Sequence, residues 1–120
     1  MLPPDLQRIE HIRDYCLDIE DAMTRFGNSV EDFHNDTDYQ YVISFCILQI
    51  GELCGRLSPE LREQSADRIP WNRIRGMRNI VAHDYGSVDH NLIWQTISTG
   101  IPDLKNYCEE QLSGWEDRNK

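Results

Sequence analysis

The chain has 120 residues, of which 39% are hydrophobic and 28% are charged, and its formal net charge is −9. This length fits one domain over residues 1–120, and the acidic balance argues against a generic nucleic-acid-binding protein. No apolar run approaches the roughly 18 residues that cross a bilayer, and the first residues lack the basic and apolar regions of a signal peptide. We therefore expect a cytoplasmic protein without a membrane partner.

Hydrophobic periodicity predicts helices and no strands. Apolar residues recur at spacings of three and four over residues 5–26, which predicts a first amphipathic helix. A second helix is predicted over residues 38–57. Its centre is apolar nearly all round, so several neighbours must cover it, and a second subunit could be one of them. Gly51 lies within it and would be tolerated where another backbone comes close. A short helix over residues 58–65 and a third main helix over residues 71–83 follow, each with a proline at its start.

The last helix is predicted to be capped by Ser87 or Asp89 and to run to about Leu112. Pro102 lies inside it and should kink it, because proline lacks the amide hydrogen of the helical ladder. Residues 113–120 form a polar tail that we expect to fray. Four main helices, one short helix and short loops together predict an all-α antiparallel bundle.

The chain has four cysteines, Cys16, Cys46, Cys54 and Cys108. Their spacing matches no zinc-ligand pattern, and nothing suggests the oxidising compartment that a disulfide framework needs. Each cysteine lies in an apolar stretch, so we expect buried free thiols. His11, His34 and His90 are isolated in the sequence and are expected to be solvated. The sequence therefore predicts no metal site and no cofactor.

Basic and acidic residues are segregated along the chain. Residues 1–40 hold ten acidic and three basic residues, whereas residues 56–78 hold six arginines and three acidic residues. The helix predicted over residues 71–83 contains three arginines, two asparagines and one histidine, but no acid and no lysine. A plain solvent-exposed helix face usually mixes both signs of charge, so the polar side of this helix is suited to face an anion.

The helix over residues 71–83 has two faces. At about 100° per residue, an apolar face predicted to point into the core consists of Ile74, Met77, Ile80 and Val81. The opposite face consists of Arg75, Arg78, Asn79, Ala82 and His83. The apolar face would hold the helix in the bundle and leave the polar face open to a ligand.

Arg78 and His83 form an R-x4-H motif, and Asn79 lies one turn before His83, where its side chain can orient the imidazole. A histidine that titrates near neutrality can take a proton from a ribose 2′-hydroxyl or give one to a leaving oxygen. An arginine can hold a phosphate through two N–H groups and stabilise the charge that grows on it. These residue types suit metal-independent cleavage of RNA. Because one histidine cannot easily be both acid and base, we expect two copies of the chain to share a composite site.

A plain structural interpretation of the same residues stays open. The arginines could pair with the acidic first helix across a subunit contact, and His83 could cap the last carbonyls of its own helix. Trp71 and Trp94 are expected in the core or in a subunit interface. Glu52 could reach the site from the second helix, but we expect it to be an ordinary surface carboxylate.

Residues 70–85 closely resemble the signature of the HepT toxins, which belong to the HEPN superfamily of helical domains that often cleave RNA. Residues 50–61 and 88–104 resemble the end of that family's second helix and its last helix more loosely. The resemblance implies a HEPN-like homodimer with metal-independent RNase activity, encoded beside the nucleotidyltransferase antitoxin MntA. It also implies that Arg78 and His83 are the catalytic pair.

Two further residues match the family's motif. Asn79 matches the polar residue that commonly follows the arginine, and Tyr85 matches the tyrosine that the antitoxin can modify with AMP. An AMP group two residues from His83 would place a bulky anion where we expect the RNA phosphate. Arg73 and Arg75 are not strict motif positions, and we predict them as RNA contacts on grounds of charge alone.

The favoured function is that of a ribonuclease toxin, either an endoribonuclease or a tRNA-trimming nuclease, with tRNA or mRNA as its substrate. One alternative is a non-catalytic, nucleotide- or RNA-binding partner of a nucleotidyltransferase subunit, for which the basic stripe would suffice. The other alternative is a purely structural dimer. The intact set of Arg78, His83 and Tyr85 favours the ribonuclease, because binding alone does not require a histidine.

Overall fold

The computed structural model describes residues 1–83 and 89–119, with the backbone alone at residue 83. These residues contain helices and no β-strand, which confirms the predicted all-α fold. A π-helical turn over Thr96–Gly100 joins the last two helices. None of the helices described is long and apolar enough to cross a membrane. In chain order the helices are α1 (Pro3–Phe26), α2 (Val30–His34), α3 (Thr37–Arg56), α4 (Pro59–Gln64), α5 (Trp71–His83), α6 (His90–Gln95) and α7 (Ile101–Arg118).

Side-chain caps fix where several helices begin. Ser29, Asp36, Ser58 and Asp89 each accept a hydrogen bond from a backbone N–H in the first turn of the helix that follows. Such bonds satisfy amide groups that no helical carbonyl reaches. Proline lies at the start of α1, α4 and α7, where its missing N–H is not needed. Ser58 and Asp89 are among the caps that the sequence predicted.

Helix α3 lies between α1 and α5 and packs against both, while α7 packs against α1. Its inner face is buried, but the helix is not covered all round. Tyr41 and Phe45 are 60% and 54% exposed, so one side of α3 presents aromatic surface to solvent. Isoleucine is the most frequent buried residue of these four helices, whose buried side chains include Ile9, Ile12, Ile19, Ile43, Ile47, Ile50, Val81, Leu104 and Tyr107.

The last helix differs from its prediction. The predicted last helix consists of α6, the π-helical turn and α7, which form one continuous helical path because Gln95, Gly100 and Ile101 at the junctions keep right-handed helical angles. Pro102 lies inside this path, as predicted, and the π-helical turn just before it shifts the hydrogen-bond register where the proline lacks an N–H. Helix α7 passes the predicted end at Leu112 and continues to Arg118, so the segment expected to fray is helical up to that residue. The Asn119 side-chain amide donates to the Trp115 carbonyl at 2.8 Å and closes this end.

The cysteines are free and buried, as predicted. Burial raises the pKa of Cys46 to about 11 and the pKa values of Cys54 and Cys108 to about 12, so these thiols stay protonated at neutral pH. His34 and His90, which are isolated in the sequence, meet in the fold, where their Nδ1 atoms lie 2.9 Å apart and tie α2 to α6. One of these nitrogens donates in the hydrogen bond and the other accepts.

Asp5 is a buried carboxylate in the first turn of α1, with an exposed fraction of 2%. Its Oδ1 accepts the backbone N–H of Ser58 at 2.9 Å, and its Oδ2 accepts the Ser58 hydroxyl at 2.6 Å. The same Ser58 oxygen accepts the Leu61 N–H at 3.3 Å. Asp5 thus fixes the junction between α3 and α4 against the start of α1.

We expect Asp5→Ala to lower the free energy of unfolding by about 1–3 kcal/mol, because it leaves two partly buried donors of Ser58 without an acceptor. Urea denaturation followed by circular dichroism would measure this loss. Glu10→Ala, at an exposed position of the same helix, is the matched control and should change the free energy by less than about 0.5 kcal/mol. Equal effects of the two substitutions would contradict the proposed structural role of Asp5.

Candidate active site

The inner face of α5 anchors the helix in the core. Its buried side chains are Trp71, Met77 and Val81. The Trp71 indole N–H donates to Ser65 Oγ at 2.9 Å and fixes the start of the helix. Ile80, which the sequence placed in the core, is instead 43% exposed. Ile80 lines an open groove together with Leu92 of α6. Fewer apolar residues of α5 are therefore buried in the core than the sequence predicted.

Two glycines of α3 allow α5 to come unusually close. A Cβ built on Gly51 would lie 2.3 Å from the Cβ of Arg78, and a Cβ built on Gly55 would lie 3.5 Å from Arg75 Nε. Gly51 and Gly55 are one helical turn apart, so they form a strip without side chains on which the two arginines lie. This confirms the prediction that Gly51 is tolerated where another backbone approaches.

The guanidinium of Arg78 is held from two sides. Its Nη2 forms an ion pair with Glu52 Oε1 of α3, and its Nη1 donates to Asn79 Oδ1 at 2.9 Å. Its Nε is buried and has no hydrogen-bond partner among the described residues. The side chain is 31% exposed, so part of the guanidinium stays accessible from solvent. A fixed guanidinium with free N–H groups at the surface can receive a phosphate or a carboxylate.

Glu52 was expected to be a surface carboxylate, with a contact to the site left open as the alternative. It lies at the surface with its side chain 42% exposed, and it also pairs with Arg78. The pair joins residues 26 positions apart in the sequence, so helical spacing within one element could not reveal it. The available signal was the position of Glu52 directly after Gly51, the glycine that lets Arg78 approach.

The predicted site residues fall into three groups. Arg75 and Arg78 lie together where α5 crosses the glycine strip of α3, and Asn79 lies beside Arg78. Arg73 lies at the edge of a different feature, a groove of about 780 Å³ between α5, the π-helical turn and α7, so the structure separates it from the other two arginines. The side chain of His83 and the whole of Tyr85 lie outside the described residues.

The charges on α5 are unevenly balanced. Glu52 offsets the charge of Arg78, whereas no carboxylate among the described residues lies within 4.0 Å of Arg73 or Arg75. The edge of α5 that borders α3 therefore keeps a positive charge at Arg75 next to the neutralised pair.

A protein-family model described as Ribonuclease HepT-like matches residues 6–111. The chain belongs to the HepT-like ribonuclease family. A candidate RNase of Caldanaerobacter subterraneus subsp. tengcongensis is 34% identical over 104 residues, which are 87% of this chain and 90% of the relative. A candidate RNase of Methanocaldococcus jannaschii is 30% identical over 88 residues, which are 73% and 75% of the two chains. A candidate ribonuclease HepT of Thermococcus cleftensis is 29% identical over 103 residues, which are 82% and 93%. No solved structure matches the chain significantly.

Membership in the HepT-like family confirms the resemblance seen in residues 70–85 and the HEPN-like all-α fold. It also gives this chain the general activity of a ribonuclease. The matched region of this HepT-like chain contains both halves of the arrangement described above, the glycine strip of α3 and the arginine face of α5.

We expect Gly51→Ala to lower the free energy of unfolding by about 2 kcal/mol or more, because the new methyl group would overlap the stem of Arg78 and push α5 outward. Thermal and urea denaturation would measure the loss. Gly76→Ala on α5 is the matched control, since a Cβ there meets nothing within 4 Å and alanine favours the helix. It should leave the free energy unchanged or raise it by about 1 kcal/mol. A Gly51→Ala protein as stable as the control would contradict the close crossing.

Proposed function

We propose that this HepT-like protein is a cytoplasmic, metal-independent ribonuclease toxin of a toxin–antitoxin pair, with Arg78 and His83 as its catalytic residues. The observation that carries the proposal is the fixed, partly exposed guanidinium of Arg78 on a helix without acidic residues. His83 ends the same helix, with four residues between it and Arg78.

The chemistry requires one charge-stabilising group and proton transfer. In the proposed reaction the ribose 2′-oxygen attacks the adjacent phosphorus and loses its proton to a base, while the 5′-oxygen leaves and takes a proton from an acid. The products are a 2′,3′-cyclic phosphate and a 5′-hydroxyl. Arg78 stabilises the negative charge on the phosphate oxygens, and His83 carries one of the protons. No redox partner or metal is required for this bond exchange.

The second proton carrier is proposed to come from a second copy of the chain. On α3, exposed Tyr41 and Phe45 share a face with Glu52, the residue that holds Arg78. An exposed aromatic surface of this kind favours association. A two-fold dimer formed through this face would bring two copies of Arg78 towards one another and create the composite site.

The arginines beside the motif are proposed to bind the RNA backbone. Arg75 adjoins Arg78 and lacks a carboxylate partner among the described residues, so it is suited to a neighbouring phosphate. Arg73 projects towards the groove, and any contact it makes must be with a part of the RNA that passes to that side of α5. The proposed substrate is tRNA or mRNA, cut internally or trimmed at an end.

Regulation is proposed to act through Tyr85, which follows His83 by two residues. An MntA-like nucleotidyltransferase antitoxin would transfer AMP to its hydroxyl, and the added phosphate would compete with RNA for the arginines. Intact-mass measurement of protein made with and without such a partner tests this step. A mass increase that is lost in Tyr85→Phe supports it, and an unchanged mass in the presence of partner and ATP contradicts it.

A second candidate function is a non-catalytic, nucleotide-binding partner of a nucleotidyltransferase subunit. Two observations favour it, the neutralisation of Arg78 by Glu52 and the strongly acidic α1, since both weaken attraction for a long polyanion. This function needs the arginines but not the proton chemistry of His83, so it predicts that His83→Ala keeps full function.

We expect purified wild-type protein to cleave RNA in EDTA, and we expect Arg78→Ala and His83→Ala each to lower the rate by about 100-fold or more. Gel analysis of a labelled RNA and identification of the product ends would measure this. Arg25→Ala, at an exposed position of α1, is the matched arginine control and should cleave at the wild-type rate. Wild-type protein free of AMP that is as inert as the two variants would overturn the catalytic proposal.

We also expect Phe45→Asp to convert the protein to a monomer and to lower the cleavage rate by about 10-fold or more, because a charge would be buried in the proposed interface. Light scattering after size-exclusion chromatography measures the assembly, and circular dichroism checks the fold. Leu17→Asp is the control, since Leu17 is 42% exposed and lies on the other side of α1 from Tyr15, which contacts Phe45. A Phe45→Asp protein that remains a fully active dimer would contradict this interface.

A further inference from the structure

Glu52 is the one group from another helix that holds Arg78 among the described residues. It is preceded by Gly51, over which the stem of Arg78 lies. Two consecutive residues of α3 therefore determine both where the stem of the arginine runs and where its guanidinium ends. Their neighbours on this part of α3 are mostly apolar, and Glu52 is 42% exposed, so its carboxylate lies at the edge of the site rather than in the core.

Some N–H groups of the Arg78 guanidinium already form hydrogen bonds, and others remain available to a ligand. Nη2 uses one N–H on Glu52 and Nη1 uses one on Asn79, which leaves one N–H on each nitrogen for a ligand. A free arginine side chain would have to lose most of its rotamer freedom when a phosphate binds, whereas this one has already lost it. Preorganised donors of this kind stabilise developing charge without reorganising during the reaction.

The carboxylate also has an electrostatic consequence. A negative charge in contact with the guanidinium lowers the positive potential that attracts a phosphate, so fixation and attraction oppose each other in this pair. The amide of glutamine could keep the hydrogen bond without the charge, and alanine could keep neither. The two effects can therefore be separated by substitution.

We propose that Glu52 is a positioning residue for Arg78, which fixes the guanidinium for catalysis while it weakens the binding of RNA in the ground state. This role rests on the proposed ribonuclease function. It predicts that kcat and KM respond separately, with Glu52→Ala acting on kcat and Glu52→Gln acting on KM, which a merely structural role would not produce.

The test measures kcat and KM on a short single-stranded RNA at low and high salt, with wild type, Glu52→Gln and Glu52→Ala. Glu52→Ala is expected to lower kcat by about 10-fold or more without raising KM, because the arginine is freed but its charge is no longer offset. Glu52→Gln is expected to keep kcat within about threefold and to lower KM several-fold at low salt. This gain should vanish at high salt, where the charge is screened.

Two controls separate the pair from general charge and folding effects. Glu10→Gln makes the same change in net charge at an exposed position of α1 and should leave both constants unchanged. The affinity for uncleaved RNA, measured by fluorescence anisotropy in a His83→Ala background, should rise with Glu52→Gln. That rise should largely disappear when Arg78→Ala is added, since the effect acts through the arginine.

The outcomes are distinct. If wild type cleaves RNA and both Glu52 variants match it after correction for folded fraction, the positioning role is wrong and the ribonuclease proposal stands. If both variants lose kcat equally and unfold at the same lower denaturant concentration, Glu52 is structural and the proposal is again overturned. If wild type itself is inert, the proposed function fails first, and the role of Glu52 in catalysis fails with it.

Discussion

The crossing of α3 and α5 at Gly51 is the constraint on which the rest of the site depends. A side chain at this position would occupy the space taken by the stem of Arg78. Because the two backbones come so close, a glutamate on α3 reaches the guanidinium of an arginine on α5, and the ion pair forms at the surface of the bundle. The contact over the glycine strip joins the two helices, and it also sets the direction of the Arg78 side chain.

The charges of this chain pose a physical problem for a member of a ribonuclease family, since the protein is acidic and RNA is a polyanion. The structure distributes these charges unevenly. The acidic first segment forms α1 and its continuation, while α5 carries arginines and no acid. The positive region is thus narrow, and within it the charge of Arg78 is offset by Glu52. A narrow positive region of this kind attracts a polyanion through its local potential rather than through the net charge of the protein.

Features that depend on neighbours in the sequence were predicted well. The starts of α4 and α6 follow from Ser58 and Asp89, because a cap acts within three residues. Features that depend on distant partners were missed or left open. The contact between His34 and His90, the exposure of Ile80 and the ion pair of Glu52 each require knowledge of which helices meet. The sequence could not predict the π-helical turn before Pro102 either. A helix can accommodate a proline by a kink or by a shift in hydrogen-bond register, and the sequence does not distinguish the two.

The sequence by itself determined the all-α class, the starts of the main helices and the motif residues of α5, because periodicity, capping and the resemblance over residues 70–85 are local properties of the chain. Tertiary structure alone decided which of the arginines on α5 lie together. Arg75 and Arg78 lie over the glycine strip of α3, whereas Arg73 faces a separate groove. The physical reason is that the helical repeat fixes the directions of the side chains relative to one another. Only the packing of α5 against α3 determines which side chains contact a partner and which are exposed to solvent.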